Sequence, residues 1–200
     1  LDVDGGTIKL DGNYPVGSNN VALGNESLNG SISGSENVAV GTYSLDATTS
    51  GSYNSGLGYA ALSGNTTGGA NTAIGNGALI SSTTGSYNTG LGASALLNNT
   101  TASDNTAVGY QAGRSNTTGS PITAIGRKAL YTNTTGADNT ALGRNSLFYN
   151  TTGGDNTSSG NEAMQANTTG SYNTAYGSDA LRANTTAAAN TAVGYQALTT

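Results

Sequence analysis

The chain lacks the residue types on which most enzyme and metal sites depend. It contains no cysteine and no histidine among its 200 residues, and its aspartates and glutamates number eleven. Without cysteine it forms neither disulfides nor thiolate metal sites. The sequence therefore predicts no catalytic residue, no metal site and no cofactor, and the chain is not expected to be an enzyme.

Charge and long apolar runs are also scarce. Charged residues make up 8% of the chain and the formal net charge is −5, with only six lysines and arginines. Nucleic acid is therefore not an expected partner. No apolar run approaches the length of a membrane helix, so no membrane insertion is expected. A hydrophobic content of 34% is low enough for a disordered chain, but disordered chains usually also have a high net charge. Because the net charge here is low, an ordered chain is expected.

The chain does contain a short sequence motif that recurs at a fixed interval. The motif is Asn105-Thr106-Ala107-Val108-Gly109-Tyr110-Gln111-Ala112. It occurs again from Asn190, where the copy is extended to Leu198. Its glycine recurs at a constant spacing, with no insertion or deletion anywhere in the array. These turn glycines, each free to adopt a positive φ, are Gly24, Gly41, Gly58, Gly75, Gly92, Gly109, Gly126, Gly143, Gly160, Gly177 and Gly194. So strict a period predicts a solenoid of identical coils.

The period divides the chain into two parts. Residues 20–200 form the predicted β-roll repeat domain, with ten full repeats over 20–189 and a partial eleventh from Asn190. Residues 1–19 lie outside the period and are predicted to be an N-terminal cap or a junction to a preceding domain, since an open solenoid end needs a cover. Because the chain starts at Leu1 without Met and stops inside a repeat, we expect a segment of a longer protein.

Counting each coil from its first residue, as from Asn20, gives the local prediction. Positions two to four read Thr-small-aliphatic, which alternates as a short strand does. After the glycine at position five, Ala-Leu-x-x-Asn-Thr-Thr suits a second short strand. The predicted fold is all-β, a parallel β-roll or β-solenoid of 17-residue coils with two short strands per coil.

Neighbouring strand residues face opposite sides, which leaves one apolar set exposed. Either the small residues at position three or the aliphatic residues at position four fill the interior, and the other set forms a stripe on the outside. Of positions eight and nine, one is likewise expected to face the interior and the other the outside. A long apolar stripe usually marks an interface. If copies of the chain associated in parallel, each residue of the stripe would lie beside the same residue of the next copy.

These motifs resemble known fibre repeats. The phrase at Asn105, its copy at Asn190 and spacers such as Asn116-Thr117-Thr118-Gly119 resemble repeats of bacteriophage tail fibre proteins, often found upstream of an intramolecular chaperone domain. The small-aliphatic-Gly core is also similar to the head repeats of trimeric autotransporter adhesins, which form β-rolls as trimers, although the unit here is longer.

The resemblance implies a homotrimeric structural shaft or receptor-binding segment of a phage tail fibre. It would sit on the virion tail, contact other tail and fibre proteins and mediate host attachment, with a host cell-surface glycan as a further candidate partner. The alternative is a trimeric adhesin on a bacterial surface. An ice-binding solenoid is a further alternative that the threonine ladders suggest, although in Thr117-Thr118 one of the two residues is expected to point inward.

Few side chains offer chemistry beyond the scaffold. Exposed aromatics and amides bind sugars by stacking and hydrogen bonding, which makes five residues weak candidates for glycan contact: Tyr59, Tyr110, Gln111, Tyr195 and Gln196. Asp104, Asp138 and Asp155 share position seventeen and are interpreted as solvated turn residues rather than a calcium ladder. Arg127, Lys128 and Arg144 cluster on adjacent coils and are interpreted as exposed side chains.

The coil over residues 156–172 is the least apolar, because Ser158 and Ser159 replace the small–aliphatic pair and Met164 replaces leucine. We expect a thinner core there and faster amide hydrogen exchange than in its neighbours. Hydrogen exchange read out by mass spectrometry or NMR measures this, and uniform protection across the coil would contradict it.

Overall fold

The computed structural model describes residues 19–30 and 32–199. The predicted cap over residues 1–19 therefore lies outside the described residues, apart from Asn19. The described residues contain no helix and form a single parallel sheet. Its strands are β1 Val21–Leu23, β2 Val38–Val40, β3 Ser55–Leu57, β4 Thr72–Ile74, β5 Thr89–Leu91, β6 Thr106–Val108, β7 Ile122–Ile125, β8 Asn139–Leu142, β9 Thr157–Ser159, β10 Thr174–Tyr176 and β11 Thr191–Val193.

The strands succeed one another through the sheet in chain order, and each pairs with the strand of the next coil. The register advances by one whole repeat, so that Thr89 lies beside Thr106, and Thr106 lies beside Thr123. Like residues therefore form ladders along the sheet. The predicted all-β solenoid of 17-residue coils is confirmed.

The prediction of a second strand in each coil is wrong, because each coil has one strand and its second half is a run of turns. In every coil, positions seven and nine have φ between 47° and 64°. A non-glycine residue with left-handed φ costs roughly 1–2 kcal/mol and cannot belong to a regular strand. Backbone bonds between coils, such as Leu96 N–H to Ala112 O at 3.0 Å, are formed in return.

The left-handed positions also overturn the expected division of positions eight and nine. Because the chain turns at seven and nine, both Ala95 and Leu96 point into the interior and are fully buried. The small third position, such as Ala107, is buried as well, whereas the fourth faces outward. Each regular coil thus contributes one large and two small apolar side chains to a thin core.

Asparagine fills much of the remaining interior in two columns. The first Asn ladder consists of position-one residues, and Asn71 shows its bonds: the Nδ2 donates to Asn54 Oδ1 at 3.1 Å and to Gly85 O at 2.9 Å. The backbone N–H of Asn71 donates to the same Asn54 Oδ1 at 3.0 Å. Buried amides are therefore satisfied by the neighbouring coil, as a buried polar group requires.

The second Asn ladder occupies position twelve. Asn133 Nδ2 donates to Asn116 Oδ1 and to Gly136 O, both at 2.9 Å. Its rungs continue through Asn150 and Asn167, which are fully buried. These asparagines carry the Asn-Thr-Thr triplets that match a glycosylation acceptor, and burial removes the bonded ones from modification in the folded chain.

Two irregular coils keep their polar groups bonded. Ile122, the exception at position one, is buried, and its backbone N–H still donates to Asn105 Oδ1 at 2.8 Å. In the serine-rich coil Met164 is fully buried, and Ser158 Oγ donates to Ala163 O at 2.9 Å. The expected rapid exchange of that coil stays a prediction, with its reduced apolar content as the remaining reason.

The glycine at position five packs backbone on backbone. Gly109 has φ of 130°, and a Cβ there would lie 2.7 Å from Gly126 O. Gly77 has φ of 64°, and a Cβ there would meet nothing within 4 Å. We expect Gly109→Ala to lower the free energy of unfolding by about 3 kcal/mol or more, because strain and overlap add.

The matched control is Gly77→Ala. We expect it to lower the free energy of unfolding by only about 1 kcal/mol, which is the cost of a non-glycine residue with left-handed φ. Thermal or denaturant unfolding followed by circular dichroism measures both variants. Equal losses in the two proteins would contradict the close backbone contact at position five.

The second Asn ladder is broken at Ser82, and the break leaves buried atoms unpaired. Among the described residues, neither Ser82 Oγ nor Asn65 Oδ1 has a hydrogen-bond partner. We expect Ser82→Asn to stabilise the fold by about 1–2 kcal/mol, because its Nδ2 would reach Asn65 Oδ1 as in other coils. Thr84→Asn, at an exposed site in the same coil, is the control and should leave the unfolding midpoint unchanged. An unchanged or lower midpoint for Ser82→Asn would show that the break is not a defect in bonding.

Candidate interaction surface

The outer face of the sheet carries a continuous column of aliphatic side chains, six of them exposed and two, Val40 and Val108, half-buried. Position four supplies it, and the exposed fraction is 48% for Leu57, 42% for Leu91 and 41% for Ile125. We call this column the aliphatic ladder; its members are Leu23, Val40, Leu57, Ile74, Leu91, Val108, Ile125 and Leu142. Successive members lie about 4.8 Å apart, the spacing of paired strands.

A second column runs beside the aliphatic ladder on the same face. Position two supplies it: Thr72, Thr89, Thr106, Thr123, Thr140, Thr157, Thr174 and Thr191, all exposed or half-buried. In the first two coils Val21 and Val38 stand there instead, with exposed fractions of 45% and 41%, and Ser55 stands there in the third. No charged residue occupies position two or four of any coil. The face is therefore uncharged and partly apolar.

The aliphatic ladder ends near the C-terminal side of the sheet. Ser159 replaces the aliphatic residue in β9, and the position then holds Tyr176 and Val193, which are 62% and 70% exposed. The eight-membered stretch before Ser159 is thus the longest apolar column on this face. An exposed apolar patch of such length generally marks an association surface.

The threonines of the Asn-Thr-Thr spacers are used differently. Thr117 Oγ1 donates to Thr134 O at 2.9 Å, and the same bond recurs between the other position-thirteen threonines along the chain. These hydroxyls stabilise coil stacking, while position fourteen, for example Thr118, is exposed. The threonines that share one outer face are those of the strands, at position two.

The five candidates for glycan contact lie on the wall next to the ends of the strands, at positions six and seven. Tyr59, Tyr110 and Tyr195 are 54%, 48% and 74% exposed. They are three and five coils apart, so the structure does not bring them together; Gln111 and Gln196 each come directly after one of these tyrosines. Tyr59 instead makes an edge-to-face contact with Tyr43, with ring centroids 5.9 Å apart.

The acidic residues form no compact site within the described part of the chain. Asp104, Asp138 and Asp155 are exposed, with φ between 55° and 60°. The described residues contain no group of three or more Asp, Glu, His or Cys side chains that could hold a metal.

Burial raises the pKa of Asp46, and the nearby charge of Glu26 raises it further.

The basic residues divide into paired and unpaired groups. Arg144 Nη1 lies 3.4 Å from Glu162 Oε1, whereas Lys128 lies over aromatic rings and makes no ion pair with a described residue. Lys128 Nζ is 5.2 Å from the ring centroid of Tyr131, whose ring stacks on Phe148 at 4.9 Å. The sequence prediction missed these two aromatic residues, although both occupy position ten, on adjacent coils.

Comparisons with known proteins leave this surface to be interpreted from its own geometry. No protein-family model, curated protein or solved structure matches the chain. Among the described residues there is no helix with the length and apolar character that crossing a membrane requires.

Proposed function

We propose that this chain is a shaft segment of a bacteriophage tail fibre, in which three copies associate through the aliphatic ladder and hold a host-attachment tip away from the virion. The observation that carries the proposal is the uncharged outer face, with its eight-membered aliphatic column, of which six members are exposed and two are half-buried. The shaft would join other tail and fibre proteins and has no catalytic role.

A second copy of the same chain fits this face better than an unrelated partner. Every coil has the same length, so two or three parallel copies place each aliphatic residue beside its counterparts without any change of register. The absence of charge at positions two and four means that like charges do not oppose one another in such an assembly.

The magnitude of the apolar contribution supports a complete ladder rather than a local contact. Burial of a whole leucine or isoleucine side chain contributes about 1.5–3 kcal/mol, so the exposed two-fifths of each contributes about 1 kcal/mol. The six exposed members contribute on the order of 6 kcal/mol per copy, which is comparable with the roughly 4–15 kcal/mol that association costs. Association should therefore depend on most of the ladder.

The interior suits a mechanical role. Backbone hydrogen bonds, two Asn ladders and packed glycines join each coil to the next, and the repeat has no insertions. Catalysis would have to proceed without histidine or cysteine. A rod of constant cross-section is what a spacer between a virion and a receptor-binding tip needs.

One observation favours a second candidate, an ice-binding solenoid. Eight threonines lie in register on the strands beside the aliphatic ladder, on the outer face of the sheet rather than at a turn. That arrangement differs from the spacer threonines, whose position-thirteen hydroxyls bond the backbone. Ice binding would use the same face as the trimer, so the two functions compete for it.

Light scattering of the purified chain tests the proposal. We expect a mass near three times 19.6 kDa. We expect Ile125→Glu to reduce this mass to that of the monomer, because the new carboxylate would be desolvated in the interface. Thr135→Glu, at an exposed position of the same coil, is the control and should remain trimeric. Circular dichroism confirms that both variants are folded.

Two outcomes would overturn the shaft proposal. A monomer at all concentrations removes the trimer, and thermal hysteresis in that monomeric solution would establish ice binding instead. A trimer that survives Ile125→Glu and Leu91→Glu alike would show that the copies associate through another surface.

A further inference from the structure

The wall beside the sheet carries a cluster of basic and aromatic side chains that the fibre proposal does not use. We define the cation–aromatic cluster as Arg114, Lys128, Tyr131 and Phe148. The rings of Tyr131 and Phe148 stack with centroids 4.9 Å apart and an angle of 11°. The guanidinium carbon of Arg114 lies 5.7 Å from the Tyr131 centroid, and Lys128 Nζ lies 5.2 Å from Tyr131 and 5.9 Å from Phe148.

The two cations of this cluster lack anionic partners among the described residues. Within residues 19–30 and 32–199, neither Arg114 nor Lys128 forms an ion pair or a side-chain hydrogen bond, and Arg114 Nε is buried without an acceptor. Arg182, further along the chain, differs: its Nη2 lies 3.1 Å from Glu162 and its Nε 3.6 Å from Asp179. Unpaired cations are notable in a chain with net charge −5.

The rings fix these cations in place before any ligand arrives. A cation over an aromatic face gains about 0.5–1 kcal/mol at an exposed site. Immobilising a free lysine or arginine costs up to about 2 kcal/mol of side-chain entropy, and here part of that cost is already met in the unbound protein. Lysine has three N–H donors and arginine five, so the cluster presents prearranged donors without acceptors.

We propose that the cation–aromatic cluster binds an acidic polysaccharide through its carboxylate groups. Carboxylates accept charge-assisted hydrogen bonds from lysine and arginine. Tyr149 extends the cluster: its ring packs edge-to-face on Phe148 with centroids 4.6 Å apart, and it is 51% exposed, which suits it to contact with a sugar. The site is distinct from the aliphatic ladder and does not depend on whether the chain is a trimer.

The geometry favours a glycan over a nucleic acid. Binding of single strands relies on aromatic faces that are free to stack on bases. The Tyr131 and Phe148 rings stack on each other, with Arg114 and Lys128 placed against them.

Calorimetric titration with polygalacturonate at low salt tests this site. We expect Lys128→Gln and Arg114→Gln each to weaken binding about tenfold, since each removes one charge-assisted contact. Tyr131→Leu should weaken binding by a similar factor, because it releases Arg114 and leaves Lys128 only the Phe148 ring. Tyr131→Phe keeps the ring and should bind within about twofold of the unmodified chain.

The control is Arg182→Gln, which removes a paired cation and should leave affinity unchanged. Equal weakening by Arg182→Gln and Lys128→Gln would overturn the proposal, because binding would then reflect total charge. Equal binding of methyl-esterified polygalacturonate would exclude carboxylate recognition. Tighter binding of oligo(dT) than of polygalacturonate would assign the site to nucleic acid, and no binding of either polymer would remove it. Each variant's melting curve separates lost binding from lost folding.

Discussion

The amide hydrogen bonds that join asparagines of successive coils are the interaction on which this structure depends. The interior of a regular coil holds one large apolar side chain, two small ones and two asparagines, so apolar burial alone is modest. A buried amide is stable only when its oxygen and nitrogen are both bonded, and here an identical amide on the adjacent coil supplies the partner. The buried amides are therefore satisfied only if each coil has an asparagine at the same position as its neighbour. The unpaired oxygen of Asn65, opposite Ser82, shows the effect of replacing one member of a ladder.

The same periodicity places the two candidate surfaces. Because small residues at position three are needed over the buried Leu at position nine, the bulkier aliphatic residues at position four are directed outward. The apolar face is therefore a by-product of how the thin core is filled, and association through it would bury side chains that the core has no room for. The wall at positions six, seven and ten carries no such packing constraint, which is why its residues vary and why charge and aromatic rings collect there locally.

Much of this fold could be predicted from the order of residues along the chain. The spacing of Gly92 and Gly109 gives the period, and Thr106-Ala107-Val108 gives the strand. The second strand was predicted wrongly because Gln111 and Leu96 carry no local signal for left-handed φ; stacking of coils imposes it.

The surfaces were less predictable than the fold. The direction of the aliphatic ladder depends on side-chain volumes across the interior, and both apolar sets have the same period. Tyr59 and Tyr195 were singled out by residue type, yet lie many coils apart. Arg114, Tyr131 and Phe148 form a column that is visible only when the tenth position is compared between coils. Contacts in such a molecule connect residues that are one whole repeat apart, so sequence neighbours give little information about them.

The two Asn ladders also have a direction. Asn71 donates its side-chain N–H to Asn54, and Asn133 donates to Asn116, so in both columns the donor belongs to the later coil. A coil added on the C-terminal side therefore meets an acceptor that is already held in position. A coil added on the N-terminal side meets amide N–H donors instead. The two ends of the array therefore differ chemically: one offers amide oxygens to a following coil, and the other offers amide N–H groups to a preceding coil.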